Sequence, residues 1–468
     1  MTNALHLENW TVLAVSHPEG HPPKIVFEAT FDAMPEGCTK CGVVGELYRH
    51  GSKVVPYRDV PFLGKQSTIF VTRLRFRCRA CGSTFMQELP DMDDDRRMTN
   101  RCRDYIAAQS LLRPNTHVAD DVGVDEKIVR QISKERNDLL DLRRAATIEA
   151  PEILGIDELM LGDEVRAIFV DGKTSWPIEL LSTRWQGPVA HFLYNLPGRE
   201  RVRIVTIDMW KPYKVACQAA LPNATIIVDK WHVMRMANDA METARRRYQG
   251  LLSAGDRKAM KANRLVFLKR PYQLTPKEQL DIDGWLKNTP GLEGAYQAKE
   301  AFMDIWRAKT REEAKAALDA WRSSLPVNLA PLFRPVLIST KNWEPEILNY
   351  FDHGRYTNAP TEARNRVIKM INRLGAGYSF KAIRARALFG KRPGRVAQEL
   401  GAAPAKATPT LAKCDSCKGL FKAELLENAN QWKTYGPSRP KRLCPDCHWR
   451  LHTGRPKRKR VSSTWKSE

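Results

Sequence analysis

The sequence predicts a multidomain α/β protein, and three observations support this fold class. Its 468 residues exceed the roughly 100–200 residues of a typical domain. Cysteines occur in closely spaced pairs near both ends of the chain, as in small metal-stabilised modules. From residue 151 onward, short apolar runs alternate with helical patterns, as in a sheet covered by helices. With 43% hydrophobic and 28% charged residues, the composition excludes a disordered or fibrous chain.

The charge balance indicates a polyanionic partner. Lys and Arg number 76 against 53 Asp and Glu, which gives a formal net charge of +23, and nucleic acid is the leading candidate for such a chain. No run of about 18 apolar residues predicts a membrane span, and the first ten residues do not resemble an export signal. We therefore expect a cytoplasmic, nucleoid-associated protein with no membrane partner.

Eight of the ten cysteines form four Cys-x-x-Cys pairs: Cys38/Cys41, Cys78/Cys81, Cys414/Cys417 and Cys444/Cys447. Two such pairs supply the four thiolates of a tetrahedral Zn²⁺ site, so we predict two four-cysteine zinc sites. Disulfides are disfavoured without export, and a redox pair would hardly occur four times. His448 and His452 are alternative ligands at the second site. Cys102 and Cys217 are predicted to be buried free thiols.

The zinc sites define the two terminal domains. Residues 1–90 are predicted to form an N-terminal zinc-binding domain, a zinc ribbon built on a hairpin, because the alternating segment Ser67–Arg77 is typical of a strand. Residues 410–468 are predicted to form a C-terminal zinc ribbon-like module with a basic tail. The tail is expected to add non-specific, salt-dependent affinity for DNA.

Residues 97–147 predict a helix-turn-helix DNA-binding region. A short helix at Thr116–Asp121 is followed by a turn containing Gly123 and a second helix from Asp125 to Lys134. An ordinary helical hairpin would show much the same pattern. The polar face of the second helix provides four candidate DNA contacts: Lys127, Arg130, Gln131 and Lys134.

Residues 151–398 predict an α/β catalytic domain. Five β-like runs end near Asp157, Val170, Leu181, Asp208 and Asp229, and a helical insertion is predicted over about 235–350. The last helix, Pro360–Arg373, is predicted to bury its apolar positions Ala363, Val367, Met370, Ile371 and Leu374. Its charged face carries Glu362, Asn365, Arg366 and Lys369. Several basic residues near this helix are candidate phosphate contacts, although such residues often only face solvent: Lys369, Arg373, Lys381, Arg384 and Arg386.

Carboxylates at the ends of two predicted strands indicate a metal site. Asp157 and Asp208 each lie at or near the carboxyl end of a strand, the edge where ligands collect in α/β sheets. Glu362, near the start of a helix, would complete a set of oxygen ligands for two hard divalent cations that catalyse phosphoryl transfer. Spacing alone leaves other acidic residues as alternatives: Asp163, Asp171, Asp229 and Glu158.

Four segments resemble blocks of the ISL-three (ISL3) family of bacterial insertion-sequence transposases, in the same order. They are Gly155–Glu158, Val205–Tyr213, Leu221–Val233 and Thr357–Lys369, and the D-M-x-x-x-Y, P-N-A and D-K-x-H-V elements are the most specific. The resemblance extends to the N-terminal zinc-binding segment and the helix-turn-helix. Two departures are Thr357-Asn358-Ala359, where the family commonly has S-N-G, and Trp231 in place of the usual Phe.

The resemblance implies a ribonuclease H-like catalytic domain with an Asp-Asp-Glu triad, which falls on Asp157, Asp208 and Glu362. It gives supporting roles to Asp229, His232 and Asn358. A rival mapping makes Asp229 the second metal ligand; Asp208 is preferred because it ends the fourth strand of the domain. The cofactors implied are two Mg²⁺ ions, with Mn²⁺ as a substitute.

The function predicted is that of a DNA transposase that binds the terminal inverted repeats of an insertion sequence and catalyses strand cleavage and strand transfer. Double-stranded DNA, as element ends and target, is the expected partner. A homodimer or higher oligomer on DNA is expected because two ends must be joined. One alternative is a catalytically inactive, zinc-containing DNA-binding regulator on the same scaffold. Another is a metal-dependent nuclease that resolves DNA structures without strand transfer.

Overall fold

The computed structural model describes residues 5–390 and, beyond them, four short strands. Residues up to Gly390 belong to one compact unit, and the later strands belong to a second. In the second unit, Leu411–Lys413 pairs antiparallel with Leu420–Lys422, and Glu427–Asn428 pairs antiparallel with Arg442–Leu443. The predicted second zinc site, formed by Cys414, Cys417, Cys444 and Cys447, lies outside the described residues, as does the basic tail.

A seven-stranded sheet begins the first unit. Its strands are β1 (Trp10–Ser16), β2 (Lys24–Phe31), β3 (Leu47–Phe62), β4 (Lys65–Cys78), β5 (Thr84–Met86), β6 (Met92–Asp93) and β7 (Met98–Thr99). The order is β1-β2-β4-β3-β7-β6, with β5 beside β4. Leu63 and Gly64 close the β3–β4 hairpin with positive φ at both positions, the twist that a two-residue loop needs. The predicted strand Ser67–Arg77 is confirmed within β4.

The four N-terminal cysteines converge at the base of this hairpin. Their sulfur atoms lie within 4.8 Å of one another, with 3.7 Å between Cys38 and Cys81 and 3.8 Å between Cys41 and Cys78. Sulfurs bound to one tetrahedral Zn²⁺ at 2.3 Å would be separated by about 3.8 Å. The predicted residues therefore fit a zinc ion.

Both Cys-x-x-Cys turns are built in the same way. Each is followed by a glycine with positive φ, Gly42 at 73° and Gly82 at 72°, a conformation that other residues adopt with strain. The glycine N–H donates to the carbonyl of the first cysteine of its pair. Backbone N–H groups of Cys41 and Lys40 lower the pKa of the Cys38 thiol, which favours the thiolate that binds metal.

Three helices follow the N-terminal sheet: α1 (Asn100–Gln109), α2 (Asn115–Val122) and α3 (Glu126–Thr147). Gly123, with φ at 77°, ends α2, and a Cβ there would lie 2.6 Å from Oε1 of Gln66. Gln66 on β4 donates to the carbonyl of Asp120 at 2.7 Å, so the turn is fixed against the sheet. The predicted helices and turn are confirmed, but α3 extends well beyond Lys134. The four candidate DNA contacts on α3 are exposed: Lys127, Arg130, Gln131 and Lys134.

A second, mixed sheet carries the predicted carboxylates. Its strands are β8 (Ile153–Leu161), β9 (Glu164–Asp171), β10 (Pro177–Leu181), β11 (Ile204–Ile207) and β12 (Thr225–Val228). The order is β10-β9-β8-β11-β12; β8, β9 and β10 pair antiparallel, whereas β8, β11 and β12 pair parallel. The five predicted strands are confirmed.

Helices cover both faces of this sheet. α4 (Gln186–Tyr194) and α5 (Lys211–Ala220) pack on one face through the largest hydrophobic core. α13 (Ala359–Gly375) and α14 (Phe380–Phe389) pack on the other through a smaller cluster that includes Leu159, Ile168, Ile368 and Ile383. The carboxylates therefore belong to a three-layer domain.

The predicted helical insertion separates β12 from α13. Its helices are α6 (Lys230–Gln249), α7 (Ala254–Ala262), α8 (Pro276–Lys287), α9 (Pro290–Asp304), α10 (Arg311–Ser324), α11 (Ala330–Asn342) and α12 (Glu344–Asp352). Short 3₁₀ helices lie at Asn263–Leu268, Pro271–Gln273 and Ile305–Arg307, and another at Arg199–Arg201 precedes β11. The insertion packs back on the sheet, where Asn349 donates to the carbonyl of Ile226 at 2.9 Å.

A buried ionic junction connects α3 to the sheet through α14. Glu179 on β10 is 7% exposed and accepts two hydrogen bonds from Arg384, at 2.7 and 2.8 Å, and one from Arg144 on α3 at 3.0 Å. Arg384 also pairs with Asp141 on α3. Arg386 donates to Asn115 on α2 at 2.8 Å. Arg384 and Arg386 are therefore structural; the prediction that they contact phosphates is wrong because Arg384 is engaged by Glu179 and Asp141 and because Arg386 is only 4% exposed.

Among the helices described here, none combines the length and the apolar character needed to cross a membrane.

Replacing Cys41 with serine is predicted to lower the zinc content by one ion per chain, because a four-sulfur site loses one of its ligands. Metal analysis of the purified protein measures this. Cys102→Ala is the control, since Cys102 is a buried free cysteine outside the cluster and its loss should leave zinc unchanged. Equal zinc in Cys41→Ser and wild type would contradict the assignment.

Glu179→Gln is predicted to lower the free energy of unfolding by about 3 kcal/mol, because it removes the buried anion that both Arg144 and Arg384 contact and leaves Arg384 paired with the more exposed Asp141. Glu149→Gln breaks only the exposed ion pair with Arg201 and should lower it by less than about 1 kcal/mol. Denaturant unfolding compares the two variants. Similar losses in both would show that the junction has no special role in stability.

Candidate active site

Strand register aligns three aspartates across the parallel part of the mixed sheet. Asp157 and Asp208 each lie two residues beyond the paired residues Gly155 and Thr206. Asp208 and Asp229 each follow the paired residues at the ends of β11 and β12. Because neighbouring strands lie about 4.7–4.9 Å apart, the three carboxylates lie at one level of three adjacent strands.

Asp157 lies in the middle of β8 and not at its end, contrary to the prediction. The strand continues to Leu161 because β9 pairs with it throughout, whereas β11 stops pairing at Gly155. Asp157 nevertheless lies just beyond the parallel part of the sheet, and this explains why it meets Asp208.

Asp157 is buried and held by two donors. It is 7% exposed; its Oδ1 accepts from the N–H of Glu158 at 2.7 Å, and its Oδ2 accepts from Nδ2 of Asn365 at 2.7 Å. Burial, together with the negative charges of Glu362 and Asp229, raises the pKa of Asp157 to about 6. This carboxylate is therefore oriented but not neutralised by the protein.

Asp208 lies between Asp157 and His232. Burial and the negative charge of Asp157 raise the pKa of Asp208 to about 9. Its Oδ1 lies 3.2 Å from Nε2 of His232, but the contact lacks hydrogen-bond geometry, so this buried oxygen has no donor among the described residues. Burial lowers the pKa of His232, which disfavours the charged imidazolium.

Asp229 has a different environment. It caps α6 by accepting from the N–H of Trp231 at 3.4 Å, and it also accepts from the N–H of Asn358. Burial raises its pKa. Its carboxylate oxygens therefore have backbone donors, which Oδ1 of Asp208 lacks.

Glu362 is placed beside the aspartates by the first turn of α13. Asn358, which is fully buried, donates to the carbonyl of Ile156 and accepts from the hydroxyl of Thr206, both at 3.2 Å. A Cβ on Gly155 would lie 2.1 Å from Oγ1 of Thr361. The absence of a side chain at Gly155 therefore lets the start of α13 lie directly against β8.

The structure brings some of the predicted site residues closer together than others. Asp208, Asp229 and His232 each offer a ligand atom within 4.8 Å of the others, and Asp157 interacts directly with Asp208. Glu362 lies outside that group of atoms, but its negative charge helps to raise the pKa of Asp157 and partly opposes the lowering of the His232 pKa by burial. Lys369 and Arg373, the candidate DNA contacts on α13, are exposed.

The interior face of α13 differs from the prediction. Its buried residues are Thr361, Arg364, Asn365 and Ile368, whereas Ala363, Met370 and Leu374 are exposed. The apolar stripe was a poor guide because this helix packs against a polar site. Asn365, which the sequence analysis placed on the face of Glu362 but gave no role, contacts Asp157; its place one helical turn after Glu362 was the available signal.

The donor set fits hard divalent cations. Mg²⁺ and Mn²⁺ prefer carboxylate oxygens, and three buried aspartates repel one another unless protons or cations neutralise them. The buried Oδ1 of Asp208 without a donor is the atom that most clearly needs such a partner.

Comparison of the sequence with known proteins identifies the family of this chain. The model of the ISL3 transposase domain matches residues 154–387, half of the chain, from β8 through most of α14. The chain belongs to the ISL3 family of transposases. A second model, the zinc finger of transposases IS204/IS1001/IS1096/IS1165, matches residues 35–81, which contain the four-cysteine cluster.

Curated ISL3-like relatives agree with this assignment. The transposase for insertion sequence element IS1001 of Bordetella parapertussis is 24% identical over 354 residues, which cover 73% of this chain and 85% of the relative. The transposase for insertion sequence element IS1557 from two strains of Mycobacterium tuberculosis is 26% identical over 199 residues, 37% of this chain and 44% of each relative. The similarity to the IS1001 protein thus extends well beyond the matched transposase domain.

Asp208→Asn is predicted to raise the stability of the metal-free protein above about pH 5, by on the order of 1–3 kcal/mol at pH 8. The folded pKa of about 9 exceeds the unfolded value of about 3.9. The unfolded chain therefore loses its proton first, and Asp208 destabilises the fold increasingly as pH rises between these values. Thermal unfolding in a chelator from pH 4 to 9 measures the effect.

Magnesium should raise the thermal midpoint of wild type but not that of Asp208→Asn. Asp163→Asn is the control, because Asp163 is exposed in the β8–β9 turn and should behave as wild type at every pH. If Asp208→Asn were less stable than wild type in chelator at pH 8, and were still stabilised by magnesium, this result would contradict the assigned role of Asp208.

Proposed function

We propose that this protein is an Asp-Asp-Glu transposase with a ribonuclease H-like catalytic domain. The observation that carries the proposal is the register of β8 and β11, which sets Asp157 and Asp208 side by side, with Glu362 supplied by α13. The sheet order β10-β9-β8-β11-β12, with three antiparallel strands followed by two parallel ones, supports this fold. The helical insertion ahead of Glu362 agrees with the family resemblance.

Asp157, Asp208 and Glu362 would hold two magnesium ions, or manganese in their place. Asp208 is preferred to Asp229 as the second ligand, because Asp229 already accepts two backbone N–H groups. Oδ1 of Asp208 has no donor within the part of the chain that the structure describes, and Asp208 adjoins Asp157. Asp229 instead fixes the start of α6 and the approach of Asn358, which is a supporting role.

Bound cations would activate the attacking oxygen and stabilise the leaving oxygen of an in-line phosphoryl displacement. The chain's own residues prepare the site for this chemistry. Asn365 orients Asp157 through its 2.7 Å hydrogen bond, and Asn358 fixes the first turn of α13 and with it Glu362. His232 contacts Asp208, and burial lowers the His232 pKa, so its charged form is disfavoured at the place where the cations would bind. Water would be the attacking group in strand cleavage, and a 3′-hydroxyl in strand transfer.

The zinc module and the helices α2 and α3 would bind the terminal inverted repeats of the element as a helix-turn-helix unit. The exposed side chains Lys127, Arg130, Gln131 and Lys134 would contact the groove and phosphates. Lys369 and Arg373 would contact phosphates nearer the site. Because two ends must be joined to a target, the active form would be at least a homodimer, and it would be nucleoid-associated in the cell.

Wild type is predicted to cut a DNA fragment that carries the element's own end, in the presence of magnesium, and Asp208→Asn to cut at least about 100-fold more slowly. Asp229→Asn should lose less than about tenfold, and the exposed control Asp163→Asn should lose nothing. Single-turnover cleavage assays measure the rates, and gel-shift assays establish that all variants bind the fragment.

These cleavage rates distinguish Asp208 from Asp229 as the second metal ligand, and a transposase from a DNA-binding regulator. Inactive Asp229→Asn beside active Asp208→Asn would transfer the ligand role to Asp229. A wild type that binds the end and never cuts it, with either metal, would overturn the transposase proposal in favour of a DNA-binding regulator.

A further inference from the structure

A tryptophan lies exposed beside the carboxylate cluster. Trp231, the second residue of α6, is 51% exposed. Its ring meets the imidazole of His232 edge-on, with 5.0 Å between the ring centroids, and His232 in turn lies 3.2 Å from Asp208. The indole therefore stands at the rim of the site, two side chains away from a proposed metal ligand.

A positively charged side chain lies over the Trp231 ring. The guanidinium of Arg235, one helical turn further along α6, lies over the Trp231 ring at 5.4 Å from its centroid. Arg235 is itself 59% exposed, and its contact with Asp239 is a loose 3.8 Å. Residues four apart share one face of a helix, so α6 presents a flat apolar surface and a positive charge together.

The carboxylates lie deeper than the tryptophan. Asp157 and Asp229 are buried, and Asp208 is largely so, so a DNA phosphate must enter the site to reach the cations that these carboxylates would hold. In an intact duplex the faces of the bases are covered by their neighbours. The backbone can enter more deeply where a base leaves the stack, at a cost of a few kcal/mol. An aromatic side chain that stacks on the freed base returns about 1–3 kcal/mol.

Resting on the proposed function, we propose that Trp231 and Arg235 form a binding site for an unstacked nucleobase next to the scissile phosphate. Trp231 supplies the stacking surface, and Arg235 supplies a cation that contacts the base face or the adjacent phosphate. The ligand is one unpaired nucleotide of the DNA strand that is cut. The site thus contributes to DNA distortion and not to the chemical step.

The test uses full-length protein and DNA fragments carrying the element's end, with each nucleotide around the cleavage position replaced in turn by an abasic one. On unmodified DNA, Trp231→Ala should cut about 10- to 100-fold more slowly, and Trp231→Phe, which keeps an aromatic face, within about threefold of wild type. Tyr272→Ala is the control, because Tyr272 is an exposed aromatic in the helical insertion. It should cut at the wild-type rate.

Coupling between protein and DNA is the decisive readout. At one abasic position wild type should lose about as much rate as Trp231→Ala loses on unmodified DNA, and Trp231→Ala should lose nothing more there, because the same stacking contact is removed twice. A mismatch at that position leaves the base unpaired from the start. It should therefore bring the cleavage rate of Trp231→Ala much of the way back to the wild-type rate. The thermal midpoint of each variant should match that of wild type, since Trp231 is half exposed.

Three results would overturn the proposal. If Trp231→Ala cuts unmodified DNA as fast as wild type, Trp231 does not hold a base. The same conclusion follows if, at every position, the rate loss caused by Trp231→Ala multiplies with the rate loss caused by the abasic nucleotide. In both cases the proposed function stands. If wild type cuts no fragment, the proposed function and this inference fail together.

Discussion

The alignment of Asp157, Asp208 and Asp229 across three adjacent parallel strands is the constraint on which the rest of the structure depends. Like charges held a strand's width apart in a buried place oppose folding. The protein relieves this only in part, with backbone N–H groups and the amide of Asn365. The remaining charge is what makes the place suitable for cations. The same repulsion therefore weakens the metal-free protein and supplies affinity for metal.

Such a site needs a rigid frame, and the fold provides it in two ways. Helices cover both faces of the sheet, and Gly155 lets α13 lie directly on β8, so that Asn358 hydrogen-bonds to β8 and β11 together. At the β10 edge of the sheet, Glu179 and the two arginines that it contacts, Arg384 and Arg144, connect β10 to α3. The helices proposed to bind DNA are thereby fixed to the sheet that carries the aspartates. A shift of α3 would have to break buried ion pairs.

The sequence was informative where local pattern determines structure. Short apolar runs located the five strands of the second sheet, and the Cys-x-x-Cys spacing located the N-terminal zinc cluster. The family resemblance selected Asp157, Asp208 and Glu362 among several acidic residues that spacing left open. What it missed depends on contacts between distant segments: Asn365 reaches Asp157 across more than 200 positions, and Arg384 is buried only because Glu179 and Asp141 face it. Hydrophobic periodicity cannot report such polar contacts, and on α13 it pointed to the wrong face.

The helical insertion between β12 and α13 also has a consequence for synthesis. Asp229 leaves the ribosome more than a hundred residues before Glu362, a delay of several seconds to tens of seconds at about 5–20 residues per second. During that interval the residues of the zinc cluster and of helices α1 to α3 have already been synthesised, while the carboxylate set is incomplete. Arg384 and Arg386, which hold α2 and α3, are made later still. The carboxylate site and the junction that fixes α3 to the sheet therefore both depend on the last part of the unit to be synthesised.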